Sequence, residues 1–428
     1  MADRSPRIDR RTALRATGGL AGTAALPALA GCLGGDGSDD GSGNGADGDD
    51  AGDDPPRDDG ADVDYAVETV AEGFENPWGL AFLPGDGRLL VTERPGRLSL
   101  IDPADGTVES MAGAPEVFAE GQGGLLDVAV HPDYPDDSRV YLTYSATSGE
   151  GRGATTHVGG GRLSLDGDDA PALEAFEARF VAEPFREGAN HFGSRATFGP
   201  DGALFVTVGD RRDTDFRPDH VSQDRSNELG ATLRLTPDGD AHPENPFVDE
   251  ADAADALYSY GHRNPQAMAV RPETGAIWQC EHGEEDGDEI NVVERGADYG
   301  WPVASEACRY GTDEPFAPGH DEREGATAPV HYWPCGSGGF PPSGAVFYDG
   351  DAFPEWRGDL FAGTLAAQYL GRFTVAGAGA GGASVTERDP LLGDREWRMR
   401  AVAVEPATGH LYVAVDDADA PVARIVPA

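Results

Sequence analysis

The chain has no lysine: all 32 of its basic residues are arginine, set against 77 Asp and Glu for a formal net charge of −45 over 428 residues. So little positive surface excludes nucleic acid as a partner, because phosphate backbones are held by basic patches. Long-helix architectures are disfavoured as well. With 60 Gly and 32 Pro, the chain is punctuated too often for them and suits many short strands and turns. Only four cysteines occur, none in Cys-x-x-Cys spacing, which argues against structural zinc. The apolar run from Ala16 to Ala30 is too short to span a bilayer.

What is present first describes an environment. A carpet of carboxylates without lysine suits molar salt, where the Debye length falls to about 3 Å and self-repulsion is screened. Any acidic motif must therefore be weighed against plain surface solvation. Arg10-Arg11 before the weakly apolar run resembles a twin-arginine export signal, and Leu29-Ala30-Gly31-Cys32 resembles a lipoprotein cleavage box. Residues 1–31 are expected to be a signal peptide and residues 32–62 an acidic Asp/Gly/Ser tether. Residues 63–428 would then be an exported domain held at the cell surface by lipid on Cys32. Beyond Cys32 stand Cys280, Cys308 and Cys335; export permits a disulfide, the odd count leaves one thiol over, and Cys308 with Cys335 is the preferred pair.

One pattern recurs from end to end: an alternating apolar strand, a Pro-Asp-Gly-like turn, and a second strand that ends on Asp or Glu in three of its six copies. Its copies span residues 78–93, 126–144, 196–210, 268–278, 344–363 and 402–416. Six copies, about 45 to 80 residues apart, predict an all-β, six-bladed β-propeller, with loops gathered at one end of a central channel where a site can form.

Five segments stand out against this repeat: Gly121-Gln122-Gly123-Gly124, Asn190-His191-Phe192-Gly193-Ser194-Arg195, Gly261-His262-Arg263-Asn264-Pro265-Gln266, the acidic turn from Glu281 to Glu289 with Tyr299 beyond it, and Arg398-Met399-Arg400. In this order, over nearly all of residues 70 to 416, they resemble the soluble quinoprotein sugar dehydrogenases (the glucose/sorbosone dehydrogenase type), which use pyrroloquinoline quinone (PQQ) and calcium to oxidise aldoses. The resemblance implies an enzyme that oxidises an aldose sugar at its anomeric carbon to a lactone and passes electrons to an extracytoplasmic acceptor.

Residue by residue, the resemblance makes His191 the catalytic base, and histidine suits that task because its pKa lies near neutrality. Arg263 and Asn264 match the family pair at the quinone oxygens, where a guanidinium stabilises charge that develops on reduction. Arg398 and Arg400, two apart on one strand, are expected to share a face and hold cofactor carboxylates. Gln122 matches a glutamine that contacts cofactor or substrate, and Tyr310 a cofactor-contacting aromatic. For calcium, a hard cation that takes oxygen ligands, the resemblance implies backbone carbonyls of Gly283 and Glu284 at one site and Glu289 with Tyr299 at a second.

Two departures stand against the family pattern. Glu284 occupies the place of a proline in the calcium turn, and Ala366 the place of a lysine that pairs with PQQ. Two other readings therefore stay open: a cofactor-free cell-surface propeller that binds a sugar or other ligand, and a calcium-dependent lactonase-like hydrolase on a similar fold.

Overall fold

The computed structural model describes residues 63–428 except 150, 152, 166–169 and 214–215. The expected signal peptide, Cys32 and the tether lie outside the described residues.

Each copy of the repeat supplies the inner strands of one blade. The innermost strands are β2 (Pro77–Phe82), β6 (Leu125–Val130), β10 (Ala196–Phe198), β14 (Pro265–Val270), β18 (Pro342–Phe347) and β22 (Met399–Val404). Each opens a four-stranded antiparallel sheet, and each packs against the next around a closed ring, with β22 returning to β2. Second strands such as β3 (Leu89–Glu93), β11 (Leu204–Val208) and β23 (Leu411–Val415) are buried along their whole length, because neighbouring blades cover both of their faces. Outer strands such as β5 (Thr107–Met111) and β21 (Ser384–Glu387) are mostly exposed and polar. The predicted six-bladed propeller is the observed fold.

Closure uses a strand that belongs to no repeat. β1 (Tyr65–Phe74) pairs antiparallel with β24 (Ala420–Pro427), so the last blade takes one strand from the start of the domain and three from its end. Ring closure thus depends on a very long-range contact.

Five of the six innermost strands carry a register shift near their first residues, at the same end of the channel: between Pro77 and Gly79, Leu125 and Val128, Pro265 and Ala267, Ser343 and Ala345, and Met399 and Ala401. A bulge re-aims the groups at the extra residue, and here those groups meet on the axis. Gly344 shows how tightly: it has φ +67°, and a Cβ there would lie 2.7 Å from both Ala401 Cα and Arg400 O.

A disulfide joins Cys308 to Cys335 across the long excursion between β16 (Glu289–Val292) and β18. Cys280 remains a buried thiol whose pKa burial pushes up to about 12.

Candidate active site

Arg195 occupies the axis and touches every other blade. Its Nε donates to Gln266 O at 2.6 Å, Nη1 to Trp78 O at 3.3 Å and Asp127 Oδ1 at 3.2 Å, and Nη2 to Arg400 O at 2.6 Å and Ser343 Oγ at 3.5 Å. Its guanidinium carbon also lies 3.9 Å from the centre of the Trp78 ring. The bulged carbonyls give it acceptors, and Asp127 gives it a counter-charge. This buried residue plugs the channel and forms the floor of the site.

Above the floor, His191 stands in a left-handed conformation, φ 54°. Its N–H donates to Gln122 Oε1 at 2.8 Å and its Nδ1 to Asp210 Oδ1 at 2.7 Å. A carboxylate can only accept from imidazole, so Asp210 fixes the proton on Nδ1 and leaves Nε2 as the basic nitrogen. Asp210 Oδ2 in turn accepts from Trp301 Nε1 at 2.9 Å. Burial, helped by the nearby Arg263 charge, depresses the His191 pKa below its usual value against the pull of Asp210. Burial alone would raise the Asp210 pKa, but His191 and Arg263 hold it low. The pair is therefore a neutral imidazole oriented by an ionised carboxylate. Gly209 permits the approach: a Cβ there would collide with the His191 carbonyl and lie 3.0 Å from Asn264 Oδ1.

The Arg263-Asn264 pair lies beside this base. Asn264 Oδ1 accepts from Gly193 N at 3.2 Å, tying it to the His191 loop. Arg263 is buried, 5.2 Å from the centre of the Trp301 ring, with its backbone N–H on Glu281 Oε2 and its Nη2 donating to Glu284 Oε2 at 2.7 Å. Although burial opposes its charge, Asp210 and Glu284 keep its pKa above the ordinary arginine value. Tyr310, largely exposed, lies close enough to act on that charge. His282, near Arg263, His191 and Arg400, has its pKa pushed down to about 3 by burial and by the two guanidinium charges.

Arg398 and Arg400 both approach Asp416 Oδ2, at 3.7 Å and 2.5 Å, yet their situations differ. Arg400 is buried and also donates from Nη1 to Gln266 Oε1 at 3.0 Å and Ser343 Oγ at 3.2 Å. The Arg398 side chain is 44% exposed. Two further arginines that sequence reasoning did not single out complete the cluster. Arg94 donates to the carbonyls of Gly121 and Gly123 and holds the turn that carries Gln122, while exposed Arg212 lies close enough to His191 to lower its basicity. Asp210 was also missed as a functional group, although the signal was present: it is the acidic residue that ends the third repeat, as Glu93 and Asp416 end the first and sixth.

Three buried nitrogens here have no hydrogen-bond partner among the described residues: Arg263 Nε, Arg400 Nε and His282 Nε2. Two are charged donors, so a planar anionic ligand with acceptor oxygens suits the site. PQQ, an ortho-quinone tricarboxylate, fits that requirement.

The cation positions also fit in part. A cavity of about 10 Å³, room for roughly one water-sized body, is lined by residues that include Glu281, Gly283, Glu289 and Tyr299. Burial raises the Glu289 carboxyl pKa against the pull of His320, and a cation would favour its ionised form. The Tyr299 hydroxyl is spent on Val292 O at 2.6 Å and Glu294 N at 2.9 Å, so its carbonyl, which already accepts from His320 Nε2 at 3.1 Å, is the oxygen with a lone pair left to offer. Gly283 N is tied to Asp288 Oδ1 at 3.0 Å, and the Glu284 side chain is turned to Arg263. Among the described residues no cluster of three or more His, Cys, Asp or Glu side chains is arranged to hold a metal, so a cation here would rely on backbone oxygens.

The channel of this propeller ends in a carboxylate-oriented histidine beside an arginine cluster, an arrangement that can take up a proton next to an anionic ligand, and comparison with known proteins identifies the class to which the chain belongs. The glucose/sorbosone dehydrogenase family model matches residues 74–424, and the chain belongs to that family. It is 38% identical over 362 residues to aldose sugar dehydrogenase YliI of Escherichia coli (strain K12), covering 84% of this chain and 92% of that protein. A crystal structure described as glucose dehydrogenase superposes with a TM-score of 0.76 at 42% identity, covering 84% of this chain and 99% of that one. The PQQ-bound form of the aldose sugar dehydrogenase of Streptomyces coelicolor superposes with a TM-score of 0.67 at 28% identity, covering 85% and 98%.

Proposed function

We propose that this protein oxidises an aldose at the anomeric carbon to a lactone, with PQQ and calcium, and hands the electrons to an extracytoplasmic acceptor. The observation that carries the reading is the His191–Asp210 pair beside Arg263 and its unpartnered Nε. Bound PQQ would supply the electron-accepting quinone carbonyl. His191 Nε2 takes the proton of the anomeric hydroxyl, and Asp210 stabilises the imidazolium that results. Arg263 offers Nε–H to oxygen that gains charge, in a setting where Trp301 and burial keep water away. Asn264 and Gln122 position the base loop, Arg398 and Tyr310 stand at the rim, and Arg400 reaches the site through its free Nε. Carbonyls of Gly283 and Glu284 would serve one calcium, and Glu289 with the Tyr299 carbonyl a second. Export through the twin-arginine segment and lipidation at Cys32 would place this chemistry at the cell surface.

One observation favours the second reading, a cofactor-free sugar-binding propeller: Arg263 already holds an anion in Glu284, in a chain with Ala366 where the family has lysine. Titration of purified protein with PQQ in calcium and molar salt, followed by aldoses with an artificial acceptor, separates the two. A cofactor spectrum and turnover support the dehydrogenase. Absence of both overturns it in favour of the binding protein.

A further inference from the structure

Arg263 Nη2 donates to Glu284 Oε2 at 2.7 Å, with side chains 6% and 15% exposed. The guanidinium best placed to meet an anion therefore faces a carboxylate of the chain itself, on the turn proposed above to offer carbonyls to a cation. We propose that Glu284 is a built-in competitor for the anion site. Its carboxylate holds Arg263 while the channel is without cofactor, leaves when an anionic quinone arrives, and is drawn off by a divalent cation at the 283–284 turn, so that cofactor loading depends on the cation. The inference rests on the PQQ reading above.

The argument is one of charge exchange. Separating a buried pair strands two charges, and the cost is severe unless each finds a new partner. Arg263 has one waiting in the incoming anion, and it keeps Asp210 nearby throughout. Glu284 does not: among the described residues Arg263 is its ion-pair partner, and the surrounding turn contributes Glu285, Asp286 and Asp288, all of the wrong sign. A divalent cation is the group that can accept the carboxylate where it stands. Anion and cation would then enter together, each releasing the partner the other needs, which is positive coupling between two ligands through one bistable side chain. A neutral residue at position 284 would leave Arg263 open and cation and cofactor more nearly independent. Glu284 therefore acts on loading through Arg263, as a positioning residue.

The test is an absorbance titration with PQQ of wild type, Glu284→Ala and Glu284→Gln at fixed molar salt, once with a calcium chelator and once with millimolar calcium. Melting temperatures confirm that each variant is folded, and the isosteric Gln variant serves if Ala fails to fold. Wild type is expected to bind at least about tenfold more tightly with calcium. Glu284→Ala is expected to bind about tenfold more tightly than wild type in chelator and to gain less from calcium. A merely structural glutamate would not tighten binding when removed. If folded Glu284→Ala binds PQQ no better than wild type in chelator, the competitor role is wrong while the PQQ reading stands. If neither wild type nor either variant binds PQQ in either condition, the PQQ reading fails and takes the inference with it.

Discussion

The two ends of the central channel are built from the same strands and have opposite chemistry. β14, β18 and β22 begin at the end of the channel that carries the site and end at a second cavity of about 470 Å³, lined by residues that include Met268, Val346 and Phe347 with Asp349, Asp351 and Glu405, and by no arginine. At the first end Arg212 and Arg263 lie close to His191, and Arg94 and Arg398 lie close to Arg400. The far cavity is roomy, yet it brings together no oriented base and no buried cation. Charge marks the functional end here, and room alone does not. In a chain of net charge −45, a place that gathers arginines in and around a buried pocket has been set against the background. Arg195 and its ring of bulged carbonyls separate the two ends.

The largest effect that could break this contrast is at the base. His191→Ala should lower kcat by about 10²–10⁴-fold, in the range of lost general-base catalysis, while PQQ affinity changes little. Asp210→Asn should keep the fold and most of the cofactor affinity but lose much of the rate, because an amide no longer fixes the Nδ1 tautomer or stabilises the imidazolium. Near-normal turnover in His191→Ala would move the chemistry away from this end.

Next come the two arginines expected to share one strand face: Arg398 lies just before β22 and is exposed, whereas Arg400 sits at the bulge within it and is buried. Arg400→Ala leaves Asp416 without its 2.5 Å partner and Gln266 and Ser343 without a shared donor, so it should cost about 3–5 kcal/mol of stability, the usual penalty for breaking a buried pair. Arg398→Ala should leave unfolding in denaturant almost unchanged and weaken PQQ binding about tenfold. The opposite pattern, with Arg398 structural and Arg400 dispensable, would undo the assignment of floor and rim.

The inner strands were legible because apolar alternation and Pro-Asp-Gly turns coincide in them, and that was enough to count the blades. β1 was not: Tyr65–Phe74 alternates weakly, and nothing local announces a partner at the other end of the chain. His191, Arg263 and Asn264 stood out by motif, and the structure brings them together with Gln122. Asp210 was visible only as the end of a repeat, one carboxylate among 77 acidic residues, where acidity carries little information. Arg195 was harder still, since its partners are mostly carbonyls that bulges expose in other blades. Residue types do not record that kind of contact. For Glu284 the sequence suggested a backbone role, and its side chain's grip on Arg263 needed three dimensions.

A smaller, sharper test is the pH profile. His191 must be neutral to accept a proton, and its pKa is depressed in the folded protein by burial and Arg263. The acid limb of kcat/KM should therefore lie below the ordinary histidine value of about 6.5, with rate falling as pH drops through it. Arg212→Gln removes a cation that depresses this pKa, so the limb should move toward higher pH with the plateau rate preserved. An unmoved limb would mean that the titrating group is not His191.

The smallest effect distinguishes local from global charge. Ala366 is exposed just beyond β19 (Leu360–Thr364), whose last residue pairs with Pro342 at the site end. Ala366→Lys adds a cation where the family resemblance expects one, and should tighten PQQ binding by up to about tenfold; an exposed charge in molar salt is heavily screened and can do little more. Ala407→Lys, in the lining of the far cavity, makes the same change in net charge at the other mouth of the channel. If position matters, Ala407→Lys should leave the PQQ titration curve where it was, and lowering the salt should widen the gap between the two variants. Equal tightening by both lysines would mean that the cofactor senses only the total charge of the protein, and the contrast between the two ends would lose its functional meaning.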